Sequence, residues 1–520
     1  MDAKSSLIEA LETGKKHGRA GRYAEACTVL GSAVHEHPHS PELHTELAAQ
    51  LNNSGSPAEA IRHYQHALAL RDDSPEAWNN LGNILRRQGQ VDQALIHFRR
   101  ALDLHPEFDR ALYNLGLLLS ERGEYQEAQT AFRSLVLHHP DHYRGWSQRG
   151  FVLQKLERYD EAIDCFCQAR DIRPDAPEVH FHLAGIYRSQ GNMTQAIENY
   201  RQTIALRDDY VAAYASLADM LDREGQHKES IELYRKILTL DPENASAHFH
   251  LGVKLLRQGR YEEGWPHYHW RKKTHPENTQ YLHPLPGPAW NYEPLTGKRL
   301  FVFCEQGMGD VFQMLRYLKV LKECGAFIIF ESRAPIARLT AHYPYIDLHT
   351  VCDLVIPPQV DYDYHVSLLD LPMMLGTTLA SLPPTDPLLK ADPALCQKWA
   401  GRLDPQRFKI GIVWSGNPEN PINAQRSLPL KHFASLAQLE GVQLVSLQHG
   451  EPTQQAKDLP WDLLDLGSQC QDFADTAAII DQLDLVITIC TSVSHLAGVM
   501  GRPVWVLLSH YPDWRWHLER

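Results

Sequence analysis

The stretch VFCEQGMGDVFQMLRY, Val302 to Tyr317, sets two glycines and a carboxylate where an apolar run gives way to a helical pattern. Gly307 and Gly309 let the backbone around Met308 come close to a ligand, and the helix start supplies unpaired N–H groups. Asp310 then has two readings. It can cap the helix, which stabilises by about 0.5–2 kcal/mol. It can also act as a general base that takes a proton from a hydroxyl as that hydroxyl attacks.

Three further stretches place polar groups after apolar runs. In VWSGNPENPINAQRSLPL, Ser415, Gly416 and Asn417 offer hydroxyl, backbone and amide donors. Arg426 there is either a phosphate partner or a solvated loop charge, and Ser427 a helix cap or a second phosphate donor. The run from Val442 ends in Gln448, which suits a ribose or base contact or a plain turn. In VITICTSVSHLAG, a buried strand stops at Cys490, and Thr491 and Ser492 are expected to cap a helix whose first N–H groups could hold a diphosphate. His495 lies one turn inside that helix, as a structural residue or as part of a pocket wall.

These stretches need a scaffold that puts strand ends side by side. Arg299–Cys304 and Phe327–Phe330 read as strands around a helix at Val311–Glu323. A second series runs through a strand at Lys409–Trp414, a helix at Leu430–Leu439, a strand at Val442–Leu447 and a helix at Thr476–Leu483. It closes with a strand at Leu485–Ile489, a helix at Ser492–Met500 and a strand at Val504–Leu508. Short apolar runs alternating with helices predict two Rossmann-like lobes with parallel sheets, at 298–400 and 401–520. Ligands of such sheets gather at the carboxyl ends of the strands, where every motif above falls.

Upstream the period changes to 34. Gly14, Ala48, Gly82, Gly116, Gly150, Ala184, Ala218 and Gly252 form a small-residue column. Leu30, Tyr64, Phe98, Phe132, Phe166, Tyr200, Tyr234 and Tyr268 form a mostly aromatic one. A turn glycine recurs at Gly21, Gly55, Gly89, Gly123, Gly191, Gly225 and Gly259, with Glu157 in the remaining place. Two short helices per repeat, crossing where a side chain is small, follow from these columns. Eight such repeats in register resemble the tetratricopeptide repeat, which implies an α-solenoid superhelix over residues 1–278 with a concave protein-binding face. One first-helix column carries Asn80, Asn114, Gln148, His182 and His250. It is either a solvated face or a ladder for an extended peptide, similar to the asparagine ladder of repeat-bearing O-GlcNAc transferases. In the last repeat, Trp265, Tyr268 and Trp270 are expected to pack on the domain that follows. Pro276 falls at the end of the last repeat, and Pro284, Pro286, Pro288 and Pro294 mark an extended or irregular linker, bounded at 279–297.

Composition narrows the function classes. A net charge of -13 argues against nucleic-acid binding through a basic surface. Among the 29 histidines, His35 and His39 stand at HExxH spacing and His138 and His142 at HxxxH spacing, but Pro38 and Pro140 break the helix that would face each pair together, and the 9 cysteines form no CxxC, so no metal site and no disulfide framework is read. The N-terminus lacks a signal-peptide core, and the most apolar window is broken by Gly498, Gly501 and Pro503. A cytoplasmic location with reduced thiols and no membrane span is therefore expected.

Taken together, GMGD at 307–310, WSGNP with Arg426 downstream, DFADTAAII at 472–480, CTSVSHLAG at 490–498 and RPVWVLL at 502–508 resemble glycosyltransferase family 9, the ADP-heptose:lipopolysaccharide heptosyltransferases. The terminal YPDWRW is similar to members fused to tetratricopeptide repeats. The resemblance implies a GT-B fold and inverting, metal-independent transfer from a nucleotide-diphosphate sugar, with no cofactor. The acceptor would lie on the first lobe and the donor on the second. Asp310 would be the base and Arg426 the holder of donor phosphates, with Ser415, Thr491, Ser492 and His495 lining the donor pocket. Cys490 departs from the family, which usually carries Asp there. The family also usually continues past the DWRW segment, so a short second lobe is expected. Three functions follow: transfer to a protein acceptor recruited by the repeats, an interaction scaffold with an inactive transferase-like domain, or a surface-polysaccharide assembly enzyme docked through its repeats.

Overall fold

The computed structural model describes residues 3–274, 285–352, 359–384, 389–420, 423–457, 459–510 and 512–516. Pro276, Pro284, Pro421, Ile422 and Tyr511, all within stretches read above, lie outside them. The chain divides into two compact units, Met1–Met220 and Leu221–Arg520. The second unit therefore starts inside the repeats, upstream of the expected linker.

Among the described residues, sixteen helices from Ala3–Arg19 to Tyr261–Tyr268 form eight consecutive pairs, and a short helix Arg271–Thr274 follows. Steric need fixes the small-residue column. A Cβ on Gly116 would lie 2.6 Å from the Phe132 ring, and one on Gly150 would lie 3.0 Å from Phe166. Phe132 and Phe166 thus each seat on the glycine of their own repeat. Every turn glycine of the column has φ between 72° and 88°, and Glu157 adopts the same left-handed conformation at φ 59°. The column position dictates the backbone even where the residue resists it.

Most of the polar first-helix column is tied to neighbouring side chains. Asn80 Nδ2 donates to Tyr64 Oη at 3.2 Å, and Asn114 Nδ2 donates to Asn79 Oδ1 at 2.9 Å. His182 stacks on Phe166 with 5.2 Å between centroids, and His250 stacks on Tyr234 at 5.7 Å. These residues are half-buried, as is Gln148. Asn80, His182 and His250 meet the aromatic of the preceding repeat, so the column joins repeats.

A second column carries an unexpected relay. His44 Nε2 faces Pro38 O at 3.0 Å and His44 Nδ1 faces His63 Nδ1 at 2.9 Å. A carbonyl only accepts, so His44 is the Nε2–H tautomer and His63 donates from Nδ1. The same arrangement recurs at His248, Pro242 and His267, with 2.7 Å between the ring nitrogens.

The second unit contains two all-parallel sheets. The first comprises β1 (Arg299–Phe303), β2 (Phe327–Ser332), β3 (Leu348–Val351) and β4 (Tyr364–Ser367), in the order β3-β2-β1-β4. The second comprises β5 (Phe408–Val413), β6 (Val442–Ser446), β7 (Leu464–Asp465), β8 (Leu485–Ile489) and β9 (Val504–Leu507), in the order β7-β6-β5-β8-β9. Fully buried Leu300, Phe301, Val302, Ile328, Ile329 and Phe330 make the centre of the first sheet, as a sheet covered on both faces requires. In each sheet the winding direction reverses, between β1 and β4 and between β5 and β8. Those reversals open crevices at the strand ends.

Several elements differ from the sequence reading. The helix expected at Val311–Glu323 breaks at Leu315 into Met308–Met314 and Arg316–Glu323. There the Arg316 guanidinium donates to Gln313 O at 2.9 Å and competes with the helical ladder. The helix expected at Leu430–Leu439 is two short 3-10 turns, held by bonds such as Ala434 N to Lys431 O at 3.2 Å. Ala289 bridges to His365 in parallel, so the described end of the linker extends the β4 edge. The helix Pro393–Ala400 packs on the helix Phe473–Ile480 of the second lobe: Trp399 Nε1 donates to Asp475 Oδ1 at 2.9 Å. The second lobe therefore begins before the expected residue 401. Among the described residues, no helix is long and apolar enough to cross a membrane.

Two outcomes follow for the repeats. Glu157→Gly should raise stability by about 1 kcal/mol, read as a later urea midpoint, because glycine adopts left-handed φ without the Cβ penalty. Burial holds His44, His63 and His267 below the usual histidine range. Their neutral forms favour the folded state, so that stability is complete above the unfolded value, about 6.5, and is lost as pH falls below it. Melting temperature should drop between pH 7 and 5. His63→Asn with His267→Asn should flatten that drop, since His180 already faces Asn199 Oδ1 at 3.2 Å in the equivalent place.

Candidate active site

The carboxyl ends of β1, β5, β6 and β8 surround a cleft of about 1390 Å³. Gly307, Met308, Gly309, Asp310, Ser415, Gly416, Asn417, Arg426, Gln448, Cys490, Thr491, Ser492 and His495 line it. Ser427 does not. Its hydroxyl faces Ser415 Oγ at 3.3 Å and donates to Asn423 Oδ1 at 3.0 Å, so it braces the loop instead.

Two helix starts meet in this cleft. A Cβ on Gly309 would come within 2.8 Å of His495 Cδ2, so only glycine lets Met308–Met314 approach Ser492–Val499 this closely. Asp310 does cap its helix: Gly307 N donates to Asp310 Oδ2 at 3.1 Å. Its other oxygen accepts from the Arg515 guanidinium. Burial pushes the Asp310 carboxyl up, while Arg515 and the Gly307 N–H pull it the other way.

At the second helix start, Thr491 occupies the capping position but its side chain makes no cap bond. Its hydroxyl faces Thr488 Oγ1 at 3.2 Å. This differs from the expected Thr491 and Ser492 cap, and it leaves the first turn without a side-chain acceptor. Arg426 leans over Gly416 and donates from Nη1 to Cys490 O at 3.1 Å, which ties it to the end of β8. Its Nε is buried without a protein partner. The site thus has a cation and a helix start side by side, an arrangement that suits an anion.

Other expected contacts are committed to structure. Gln448 Oε1 accepts from Trp414 N at 3.2 Å and Ser415 N at 3.0 Å, and its Nε2 donates to Ser415 O at 3.0 Å. It clasps the end of β5 to the end of β6. Asn417 Oδ1 accepts from Glu419 N at 3.1 Å within its own turn. Burial pushes the His495 imidazole down to about 3, so at neutral pH it is an uncharged wall. Among the described residues, no group of three or more His, Cys, Asp or Glu could hold a metal ion.

The chain's last described segment and its last repeat complete the site, and the motifs did not announce this. Trp516 stacks on His495 at 4.9 Å and donates from Nε1 to Cys490 Sγ at 3.0 Å. Trp514 meets Trp265 edge-on at 5.4 Å and Tyr268 at 5.6 Å. Trp265 Nε1 donates to Thr377 O at 3.1 Å. Trp265 and Tyr268 thus pack on the α/β region as expected, but Trp270 turns back and stacks on His248 at 4.1 Å. Arg271, 2% exposed, binds Glu305 and donates to Asp370 Oδ1 at 2.9 Å. Glu305 opens the loop that ends at Asp310. Arg271, Lys272 and His269 converge on Asp370 and, against its burial, hold that carboxyl well below the usual carboxylate range. Arg333 also lines the cleft from the end of β2, and no motif pointed to it.

Comparison with known proteins places the repeats. Residues 141–209 and 175–243 match a tetratricopeptide repeat model, and residues 233–265 match another. Residues 44–173 match the middle TPR-like domain of cilia and flagella-associated protein 70, and residues 3–74 match a bacterial transcriptional activator domain. Protein FlbA of Caulobacter vibrioides is 26% identical over 251 residues, or 43% of this chain. The match spans 41% of FlbA's length. PilF of Pseudomonas aeruginosa is 18% identical, with 42% of this chain and 100% of that chain covered and a TM-score of 0.39. A TPR repeat-containing protein from Cytophaga hutchinsonii is 16% identical, with 46% and 97% covered and a TM-score of 0.40. The chain is a tetratricopeptide-repeat protein, with a region of parallel sheets after its repeats.

Removing Arg271 would leave Glu305 a buried carboxylate without its cation and take one of the cations from Asp370. Arg271→Ala should destabilise the second unit by about 3–5 kcal/mol. Urea unfolding followed by tryptophan fluorescence measures it, and a loss below about 1 kcal/mol would show that the network holds nothing together.

Proposed function

We propose that the repeats bind a protein partner and that the cleft transfers a glycosyl group from a nucleotide-diphosphate sugar to an acceptor hydroxyl, with inversion. The two halves have different support. Repeat-family matches support protein binding. The transfer half rests on one observation: two helix starts meet at the strand ends of two parallel sheets, with a carboxylate on one side and Arg426 on the other. The family resemblance of the same residues adds to it.

In this reading Asp310 accepts the proton of the acceptor hydroxyl. The oxygen attacks the anomeric carbon from the face opposite the nucleoside diphosphate, and the bond from that carbon to the phosphate oxygen breaks. Charge on the departing diphosphate meets Arg426 and the first N–H groups after Thr491. Such fixed dipoles and charges are usually the largest contribution to catalysis. Ser415, Gly416 and Gln448 shape the wall beside the donor, while His495 and Trp516 seal the floor without charge.

A second reading is a protein-binding scaffold whose cleft is inert. Arg515 on Asp310, and Trp516 on His495 and Cys490, favour it, because the chain's own side chains already engage the polar groups a substrate would need. The repeat matches support this scaffold role more directly than they support transfer. A surface-polysaccharide assembly enzyme docked through its repeats has the same cleft chemistry and a different acceptor.

Calorimetric titration of the full chain with ADP, UDP, GDP and their sugar conjugates separates transfer from the inert scaffold. Transfer predicts that one nucleotide binds, and that Arg426→Ala weakens it at least about tenfold, equivalent to about 1.4 kcal/mol. Asp310→Ala should keep that binding and reduce turnover by about 10²–10⁴-fold. A folded chain that binds none of the nucleotides would favour the scaffold over transfer.

A further inference from the structure

We infer that Arg515 is a positioning residue for Asp310, held in place by the terminal repeat through Trp514. This deepens the transfer reading and rests on it for its catalytic meaning. The geometry stands without it.

Asp310 is nearly closed off from solvent, with 13% of its side chain exposed, and Arg515 has 11%. The groups that face Asp310 come from four elements. Its own loop supplies the Gly307 N–H. The terminal repeat supplies Tyr268, and the helix Ser492–Val499 supplies His495, whose ring lies against Gly309. The last described segment supplies Asp513 and Arg515. Tyr268 and His495 are uncharged at neutral pH, and Asp513 is itself paired with Arg515 Nη1 at 2.7 Å. Among the described groups facing Asp310, the positive charge belongs to Arg515.

Local chemistry fixes Arg515. Asp513 Oδ1 accepts from Arg515 N at 3.1 Å, and Asp513 O accepts from Trp516 N at 3.1 Å, so residues 513–516 form a tight turn. The guanidinium lies 4.5 Å from the Trp514 ring centre. Trp514 in turn sits between Trp265 and Tyr268. Contact therefore runs from the terminal repeat through Trp514 and Arg515 to Asp310.

A carboxyl this buried favours its proton, and a protonated Asp310 could take no proton from an acceptor. Arg515 opposes that tendency and fixes the carboxylate plane with its donor. Because Asp310 Oδ2 stays with Gly307 N, Oδ1 is the oxygen that Arg515 orients.

Potentiometric difference titration of the full chain against Asp310→Asn reads the Asp310 proton without any substrate. The same pair is then titrated in the background of Arg515→Gln, Arg515→Lys and Trp514→Ala, with folding checked by circular dichroism. Arg515→Gln should raise the Asp310 midpoint by about 1–3 on the pH scale. Arg515→Lys should recover most of that rise, and Trp514→Ala should raise the midpoint in the same direction. An unchanged midpoint in folded Arg515→Gln overturns the assignment. Should that variant not fold, Trp514→Ala decides: a raised midpoint supports Arg515, and an unchanged one overturns it. No nucleotide enters this measurement. Absent nucleotide binding would therefore sink the transfer reading and leave the midpoint result standing.

Discussion

The buried ionic cluster around Arg271 is the constraint on which the second unit depends. Arg271 and Glu305 are 2% and 4% exposed, and Asp370 is similarly buried. A charge taken that far from water is tolerable only with its partners in place. The cluster therefore demands that the end of the last repeat, the end of β1 and the segment after β4 arrive together. Tyr268, Trp265 and Trp514 then fill the apolar space beside it. The last repeat is for this reason part of the α/β unit and not a flexible attachment to it.

What this places in the cleft is a loop fixed at both ends. Gln306 has φ 61°, a conformation costly for a residue with a Cβ. Its neighbour Glu305 is held by Arg271, and Gln306 Oε1 accepts from Tyr268 Oη at 3.4 Å. Downstream, Asp310 caps its helix through Gly307. Between these anchors Gly309 lies against His495. The opposing wall is assembled by ordinary α/β physics. The strand order reverses beside β5 and β8, and the helix after β8 starts without a side-chain cap.

The repeats follow a different logic, in which contacts are local and recurrent. A ring on a small residue and a left-handed turn residue repeat with the period, and at Asn80, His182 and His250 a contact back to the preceding aromatic recurs. Glu157 shows how strongly the column rules. Its neighbours impose a glycine conformation on a glutamate because the two helices on either side are already placed by their own packing.

Much of this molecule was legible from its amino-acid order. The 34-residue columns located every helix pair, because each residue's role is set by neighbours within one repeat. The strand Leu485–Ile489 and the parallel sheets were legible because a strand covered on both faces must be apolar throughout. The glycines at 307 and 309 and the stretch from Cys490 to His495 marked the cleft, since strand ends collect function in such sheets. The break at Leu315 and the 3-10 turns after Pro429 were not legible, because side-chain donors and short bonds overrode the helical period. Nor was the company Asp310 keeps. Arg515 lies 205 positions away and Glu305 lies 34 from Arg271. Charges pair by proximity in space, and periodicity carries no record of which distant charges the packing of apolar faces will bring together. Sequence determined the repeats, the sheets and the chemical types at the cleft. The tertiary structure decided that Ser427 and Gln448 brace the walls, that His495 is a neutral floor, and that Asp310 faces an arginine.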